Sequence, residues 1–375
     1  MDEKRIREAL KDKQRIVLKI GSSSIIHEET GGADYRKLET LVRIICDLKN
    51  QGKDVILVSS GAIGVGFEML GLRHKPKTVS LKQACAAIGQ GQLMMIYQKL
   101  FMEYNHMAAQ VLLTFDAITD PERRRNAENT LNELLQQGVI PVVNENDTVA
   151  TEEIEFGDND TMSAIVAHLI KADLLILLTD IDGFYTDDPH KNPEAKKLTL
   201  VETIDDTMKN MAKDAVTNYG TGGMSTKIAA ARIATDSGAD MAIMDAENLT
   251  QIYDLMEGKS VGTLFLAHEN DDLIRLISSC IKDTRNKNRN GEYRMNEADI
   301  QRINELARKS KTVEGLTEAE LAEQAALRKA YIASVKRNLK TQLDNIDIKE
   351  ADGSITHVKD IPKNKRSEYI QIRLK

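Results

Sequence analysis

A chain of 375 residues, of which 41% are hydrophobic and 29% charged, is long enough for two domains with ordinary hydrophobic cores. Its formal net charge of -7 argues against nucleic-acid binding, which requires a basic surface, although a few local lysines can still attract an acidic substrate. No apolar stretch reaches the ~18 residues of a membrane span, and the charged N-terminus leads into no secretory apolar segment, so we expect a cytoplasmic protein.

Strand and helix patterns alternate over residues 5–143. A short helix at Arg5 to Lys13 precedes the first buried strand, which ends in a turn rich in backbone donors, Gly21 to Ser24. The second buried strand ends in the small-residue turn Ser60 to Gly66. The other predicted elements of this half are helices at Tyr35 to Gln51, Leu81 to Asn105 and Asp120 to Gln137, and strands at Arg15 to Ile20, Asp54 to Ser59, Ala109 to Leu113 and Val139 to Val143.

The alternation continues after a polar segment at residues 144–160. The predicted elements here are helices from Thr161 to Ile170, from Met224 onward and near Leu249 to Glu257, and strands at Leu174 to Leu178, Asp240 to Met244 and Gly262 to Leu266. Strands that alternate with helices indicate an α/β fold, with a mostly parallel central sheet sandwiched by helices. We expect this domain to cover residues 1–268.

Glycines after the second strand have two interpretations. They suggest a dinucleotide site, but their order is G-x-x-G-x-G and not G-x-G-x-x-G. We therefore assign Gly64 and Gly66 to close helix–strand packing, and expect Gly61, beside Ser60, to let a ligand approach the backbone.

The character of the chain changes after Ala267. Residues 269–294 are polar and charged and are predicted to be a linker. The pattern from Met295 is helical, and a capping box, Thr317-x-x-Glu320, opens a second helix after the first. We expect the two helices to form an antiparallel hairpin around Gly315 within residues 295–375, followed by a polar, disordered tail.

The polar segment Asn144 to Asp160 carries the clearest functional signal. It follows a buried strand, and unpaired carboxylates are too costly to bury in a core. Ligands of open α/β sheets bind in the crevice outside the carboxyl ends of the strands. A solvated acidic loop is the alternative, because Asn and Asp often simply form turns. Two further features favour a binding site: Asp158 to Asp160 leads directly into a helix, and Gly220 to Lys227 opens another.

Six motifs, in this order along the chain, resemble the amino acid kinase superfamily and, within it, the glutamate 5-kinase family. They are V-L-K-I-G-S-S at Val17 to Ser23, S-S-G-A-I at Ser59 to Ile63, V-N-E-N-D at Val143 to Asp147, F-G-D-N-D at Phe156 to Asp160, L-L-T-D at Leu177 to Asp180 and T-G-G-M-S-T-K at Thr221 to Lys227. The resemblance runs from about Lys13 to about Ala267. It implies transfer of the ATP γ-phosphoryl group to the γ-carboxylate of L-glutamate, the first step of proline biosynthesis.

The resemblance implies a catalytic group of two lysines and one aspartate. Lys19 and Lys227 match the family's phosphate-binding pair, and Asp160 matches the aspartate that orients both lysines. A lysine inside a buried strand needs an anionic partner, although an exposed strand-edge position is the alternative for Lys19. A lysine in the first turn of a helix, such as Lys227, is favourable only beside a bound anion. Because a carboxylate acceptor is already ionised, catalysis needs positioning and electrostatic stabilisation and no general base.

The resemblance also assigns the ligand contacts. Ser60, Asp147 and Asn159 match the family's substrate contacts, and Asp147 supplies the carboxylate that a free α-ammonium requires. The ATP-binding positions are Lys19, Thr179, Asp180, Thr221, Gly222, Gly223, Met224, Ser225, Thr226 and Lys227. We expect Mg²⁺ to be carried by the nucleotide phosphates and water and not by a protein cage, and the cysteines and histidines show no metal-ligand spacing.

The helical tail resembles a second family, the small bacterial proteins called DUF896 or UPF0291. The matching residues are I-N-E-L-A-R-K-S-K at Ile303 to Lys311, L-T-E-A-E-L-A-E-Q at Leu316 to Gln324 and L-R-K-A-Y-I at Leu327 to Ile332. Many glutamate 5-kinases carry a PUA domain, a small β-barrel, at this position. The tail has no β-patterned stretch of that size, so regulation attributed to PUA does not carry over.

Two alternatives remain open. One is another member of the superfamily, which acts on N-acetylglutamate, aspartate, carbamate or UMP; V-N-E-N-D and T-G-G-M-S-T-K argue against it. The other is a non-catalytic amino-acid-binding regulator, and the intact Lys19, Lys227 and Asp160 argue against that. The resemblance further implies a homo-oligomer, dimer or tetramer, and proline as a feedback inhibitor. It leaves open the role of the helical tail.

Overall fold

The structure is a computed structural model that describes residues 2–27, 30–72, 74, 76, 78–114, 120–149, 159–187, 192, 194–205, 208, 223–268, 297–310, 316–317, 320–321, 323–325, 327–329, 331–332, 336, 347–349 and 355–357. The chain divides into two compact units, Met1–Lys282 and Asp283–Lys375, and this division falls inside the predicted linker. Within the described ranges, no helix combines the length and the apolar character that a membrane span requires.

The first unit alternates strands and helices, as predicted. Its described helices are α1 (Glu3–Glu8), α2 (Ser22–Ile25), α3 (Tyr35–Asn50), α4 (Ala62–Met69), α5 (Val79–Glu103), α6 (Pro121–Gln136), α7 (Asn159–Leu169), α8 (Met224–Asp236) and α9 (Gln251–Met256). Its described strands are β1 (Arg15–Ile20), β2 (Asp54–Ser59), β3 (Ala108–Leu113), β4 (Ile140–Glu145), β5 (Leu174–Thr179), β6 (Phe184–Tyr185), β7 (Lys197–Leu198), β8 (Leu200–Val201), β9 (Asp240–Asp245) and β10 (Thr263–Phe265).

Among the described residues, eight strands form one sheet in the order β3-β4-β2-β1-β5-β9-β10-β8. Neighbouring strands are parallel except for β9 and β10, which are antiparallel. The predicted mostly parallel sheet is therefore confirmed. Because parallel strands point the same way, the carboxyl ends of the four neighbours β4, β2, β1 and β5 meet along one edge, where ligands of such sheets bind.

Helices cover both faces of the sheet. In β1, Val17 packs into the core that contains α6, α7 and α8, whereas Ile16 and Leu18 pack into the opposite core with α3, α5 and α9. Side chains alternate between the two faces of a strand, so Lys19 lies on the same face as Val17. The sheet therefore directs the Lys19 side chain toward the layer that contains α7 and α8.

Three local predictions need correction. The segment after Ser60 is predicted as a turn, but it begins helix α4. Asn144 and Glu145 are predicted to lie outside the buried strand, yet both belong to β4 and are buried. Burial of Asn144 is tolerated because its carboxamide has side-chain partners. The strands β6 to β8 were missed, because two residues are too few to show a period.

Helices α4 and α5 approach each other closely through glycines. A Cβ atom on Gly66 would lie 1.8 Å from the carbonyl oxygen of Cys85, and one on Gly89 would lie 1.8 Å from that of Ala62. Close packing at Gly66 is therefore confirmed, but its partner is a helix and not a strand. Gly61, before α4, has a φ of 104°, which favours glycine.

The second unit contains helix α10 (Glu297–Lys309) and the antiparallel strands β11 (Asp347–Lys349) and β12 (Ile355–His357). The predicted capping box is confirmed: the Thr317 N–H donates to Glu320 Oε2 at 2.9 Å, and the Glu320 N–H donates to Thr317 Oγ1 at 3.3 Å. The strand pair corrects the predicted disorder for those residues. The predicted linker and the turn at Gly315 lie outside the described residues, so the domain boundaries stay predictions.

Ion pairs link α10 to the segment that begins with the capping box. Arg302 pairs with Glu323 at 3.0 Å, and Lys309 pairs with Glu320 at 2.6 Å. The later residue of α10 thus pairs with the earlier residue of the following segment. This order is the one that an antiparallel helical hairpin requires.

We expect Gly89→Ala to lower the free energy of unfolding of the first unit by about 2 kcal/mol or more, because overpacking of a tight contact costs about 1–3 kcal/mol. The new methyl group would meet backbone atoms, which no rotamer change can remove. Urea or thermal unfolding measures the effect. Gly91→Ala, on the same helix, is the matched control, since nothing lies within 4 Å of the position that its Cβ atom would take. Equal losses in the two variants would contradict the packing described for α4 and α5.

Candidate active site

Three charged side chains meet at the carboxyl end of β1. Lys19 comes from β1, Asp160 from the first turn of α7 and Lys227 from the first turn of α8. Asp160 Oδ1 forms a short ion pair with Lys19 Nζ, and Asp160 Oδ2 lies 3.3 Å from Lys227 Nζ. All three residues are buried, with exposed fractions of 8% for Lys19, 1% for Asp160 and 5% for Lys227. The structure thus brings together the three residues to which the family resemblance assigns catalysis.

The start of α7 explains how Asp160 reaches both lysines. The helix is predicted to begin at Thr161 but begins at Asn159, so Asp160 lies in its first turn. A carboxylate is favourable there, because the N-terminus of a helix carries partial positive charge. The same dipole disfavours Lys227 in the first turn of α8, and the ion pair with Asp160 offsets that cost.

Opposing influences act on the Asp160 carboxyl. Burial raises its pKa, but attraction to Lys19 and Lys227 and their hydrogen bonds outweigh burial and hold the pKa below its ordinary value. The carboxylate is therefore ionised at neutral pH. Two lysine ammonium groups at a buried sheet edge favour an anionic ligand such as a phosphate group, because opposite charges attract strongly where water is excluded.

The N-terminus of α8 adds further polar groups beside Asp160. Gly223 is the N-cap residue and provides no side-chain cap for the first-turn N–H groups. The Thr226 hydroxyl lies 3.1 Å from Asp160 Oδ2 and 2.8 Å from the Gly223 carbonyl oxygen. Met224 and Ser225 occupy the same turn. Thr221 and Gly222, which are predicted to bind ATP, lie outside the described residues.

A network of carboxamides lies next to the charged cluster. Asn159 Nδ2 donates to Ser60 Oγ at 2.6 Å and to Asn144 Oδ1 at 3.0 Å. Asn144 Nδ2 in turn donates to Gln90 Oε1 on α5 at 2.8 Å. Two of the predicted substrate residues, Ser60 and Asn159, are therefore in direct contact. Since Asn159 and Asp160 are consecutive, the first turn of α7 joins the carboxamides to the lysines.

Gln90 and Asn144 are members of this network to which the sequence analysis assigned no role. Asn144 belongs to a motif, V-N-E-N-D, that could have suggested a site role. Gln90 gives no such signal, because a glutamine inside a 25-residue helix resembles any other polar helical residue.

The remaining predicted residues lie at the same sheet edge. Asp147 is half-buried in the turn that follows β4. Thr179 ends β5, which neighbours β1, and its hydroxyl donates to Asp180 Oδ1 at 2.8 Å. In the part of the chain that the structure describes, no group of three or more His, Cys, Asp or Glu residues is arranged to hold a metal ion.

Two family models match the chain. The amino acid kinase family matches residues 14–245, a range that contains every residue of the site described above. A bacterial protein family of unknown function, DUF896, matches residues 298–359 in the second unit.

Curated relatives share the first unit. The glutamate 5-kinase of Clostridium perfringens is 47% identical over 270 residues, which are 71% of this chain and 100% of the relative. The glutamate 5-kinase of Carboxydothermus hydrogenoformans is 53% identical over 262 residues, which are 69% of this chain and 70% of the relative. That of Clostridium tetani is 50% identical over 261 residues, 70% of this chain and 97% of the relative.

We expect Asp160→Asn to lower the free energy of unfolding by about 3–5 kcal/mol at neutral pH, because it leaves two buried ammonium groups without their shared carboxylate. The pKa of Asp160 is lowered by folding, so its stabilising contribution is present above about pH 4 and is lost as the pH falls further. The difference between variant and parent should therefore shrink in acid. Urea unfolding at several pH values measures it.

Asp254→Asn is the matched control for this prediction. Asp254 pairs with Lys259 at 2.6 Å, but both side chains are exposed to solvent, so its replacement should change stability little. Similar losses in the two variants, or a loss at Asp160 that does not depend on pH, would contradict the description of the buried cluster.

Proposed function

Because the chain belongs to the amino acid kinase family, we propose that it transfers the γ-phosphoryl group of ATP to the γ-carboxylate of L-glutamate and so catalyses the first step of proline biosynthesis. One observation carries the proposal. About half of the aligned residues of this chain are identical to those of glutamate 5-kinases, over nearly the full length of those enzymes. The buried Lys19, Asp160 and Lys227 supply chemistry that fits this reaction.

The acceptor and the donor are both anions, and this sets the task of the site. A carboxylate is ionised at neutral pH, so the enzyme has no proton to remove from it. It must bring two anions together and stabilise the charge that spreads over the phosphoryl oxygens in the transition state. Lys19 and Lys227 bind the phosphoryl oxygens and compensate this charge. Asp160 pairs with both ammonium groups and holds them in place.

The nucleotide occupies the edge formed by β1, β5 and α8. Thr179 and Asp180 contact it from the end of β5, and the first-turn N–H groups of α8 bind its phosphates, as helix N-termini do. We also propose Mg²⁺ as the divalent ion. It neutralises phosphate charge when it is bound with the nucleotide. Its preference for water and phosphate ligands accords with its delivery by the nucleotide and not by protein carboxylates.

Glutamate lies beside the carboxamide network. Ser60 and Asn159 contact it, and Asp147 pairs with its α-ammonium group. This pairing distinguishes glutamate from N-acetylglutamate, whose nitrogen carries no charge. The other acceptors in the superfamily, aspartate, carbamate and UMP, differ from glutamate in length or in the group that is phosphorylated.

Three further parts of the proposal concern the protein in the cell. We place the enzyme in the cytoplasm, where ATP is available, and expect inhibition by the pathway product proline. We also expect a homo-oligomer. Its support is an apolar stripe on α5 at seven-residue spacing, where Ile88, Met95 and Met102 are 37%, 60% and 70% exposed. Solution mass and activity with added proline test these expectations.

The proposed reaction is tested with the full-length protein, ATP and Mg²⁺ against five acceptors: glutamate, N-acetylglutamate, aspartate, carbamate and UMP. We expect ADP formation that depends on glutamate, with kcat/KM for glutamate at least about 100-fold above that for each other acceptor, because unpaired buried polar groups strongly disfavour a mismatched ligand. A coupled ADP assay measures the rates. A preference for another acceptor, or ADP formation without any acceptor, would contradict the proposal.

We expect Asp147→Asn to raise the KM for glutamate by about tenfold or more, because it removes a charge-assisted contact to the α-ammonium group. The KM for ATP should stay within about twofold. Asp180→Asn is the matched control, since it should change the KM for ATP and leave that for glutamate. Steady-state kinetics measure both constants. Equal effects on the two substrates in Asp147→Asn would argue against the assigned contact.

A further inference from the structure

Helix α5 reaches two strands of the site through buried polar side chains. Gln90 Oε1 accepts a hydrogen bond from Asn144 Nδ2 at the end of β4. Tyr97, seven residues later on the same face of the helix, lies 2.8 Å from the hydroxyl of Ser59 at the end of β2. Ser59 immediately precedes Ser60. Helix α5 therefore contacts the ends of β4 and β2, the strands next to the proposed glutamate site, through two buried hydrogen bonds.

The carboxamides form a chain with a fixed direction. Each carboxamide has one donating side and one accepting side. Gln90 presents its oxygen, so Asn144 must turn its nitrogen toward Gln90 and its oxygen toward Asn159. Asn159 must then turn its nitrogen toward Asn144, and this nitrogen also donates to Ser60. The carbonyl oxygen of Gln90 thus sets the orientation of the Asn159 carboxamide through the intervening Asn144.

This orientation leaves the oxygen of Asn159 for a ligand. Asn159 is 8% exposed, and its Oδ1 atom is buried without a hydrogen-bond partner in the part of the chain that the structure describes. A buried acceptor that lacks a donor is costly, so a bound ligand that supplies an N–H group would be stabilised there. At neutral pH the only hydrogen-bond donor of glutamate is its α-ammonium group, because both carboxyl groups are ionised.

We propose that Gln90 is a positioning residue for the amino group of the acceptor. Acting through Asn144, it keeps the carboxamide oxygen of Asn159 facing the α-ammonium group of glutamate. The inference rests on the proposed glutamate kinase activity and adds a determinant of acceptor specificity to it. If Gln90 lost its acceptor, Asn144 could turn over, and Asn159 could then present its own N–H groups to the ammonium. Two donors facing each other bind poorly.

The test compares glutamate with glutarate, which has the same carbon chain and both carboxylates but no amino group. Gln90→Met removes the acceptor at nearly unchanged side-chain volume. We expect it to lower kcat/KM for glutamate by about tenfold, as expected for a buried amide left without its partner. The value for glutarate should change by less than about twofold, because glutarate has no ammonium group for Asn159 to bind.

Two variants act as controls. Gln90→Glu retains an oxygen that can accept from Asn144, so it should restore most of the preference for glutamate over glutarate. Gln98→Met makes the same substitution at an exposed position of the same helix and should behave like the parent. The unfolding temperature of each protein is measured alongside. If Gln90→Met does not fold, Gln90→Ser, whose hydroxyl is too short to reach Asn144, takes its place with the same expected result.

The outcomes separate this inference from the proposed function. If Gln90→Met lowered kcat/KM equally for glutamate and glutarate, or did not lower it at all, the positioning role would be overturned. Activity of the parent on glutamate would still support the proposed function. If the parent did not phosphorylate glutamate, the proposed function would fail. The shift of unfolding temperature on adding glutamate would then decide the role of Gln90. A shift that the parent shows and Gln90→Met lacks would support it, and any other result would overturn it.

Discussion

Two lysine ammonium groups lie buried against a single carboxylate, and the fold around them is arranged to make this possible. Lys19 comes from β1, one of the two central strands of the parallel region, and Asp160 and Lys227 come from the first turns of two different helices. Burial of any one of the three alone would be costly. Together the two ammonium groups and the carboxylate compensate one another. The pair of lysines also suits the phosphoryl group proposed as their ligand.

The same turn of α7 joins this cluster to the carboxamide network. Asn159 belongs to a carboxamide chain that begins on α5, and the next residue, Asp160, holds the lysines. A displacement of this turn would therefore change the carboxamide chain and the lysine cluster together. Helices on both faces of the sheet contribute to this region, since α5 packs on one face and α7 and α8 pack on the other. The tight glycine contact between α4 and α5 belongs to the same support, because α5 carries Gln90.

The sequence predicted the regular parts of the fold well, because the long strands are mostly apolar and helices such as α3 have a clear period of apolar residues. It also indicated that Lys19 needed an anionic partner, but only the family resemblance pointed to Asp160 as that partner. Contacts such as Gln90 with Asn144 could not be predicted, since they join residues 54 positions apart and leave no local pattern. The strands β11 and β12 were missed for another reason: three residues each are too few for a periodicity.

Transfer of the phosphoryl group to the γ-carboxylate of glutamate is tested most directly by labelling a carboxylate oxygen with ¹⁸O. Glutamate labelled with ¹⁸O in its γ-carboxylate is incubated with the full-length protein, ATP, Mg²⁺ and hydroxylamine. If the carboxylate attacks the γ-phosphorus, the bridging oxygen of the acyl phosphate is ¹⁸O. Hydroxylamine then attacks the acyl carbon and releases phosphate that retains this oxygen. Phosphorus NMR should show inorganic phosphate with one ¹⁸O atom; unlabelled phosphate, as from attack by water on ATP, would contradict the account.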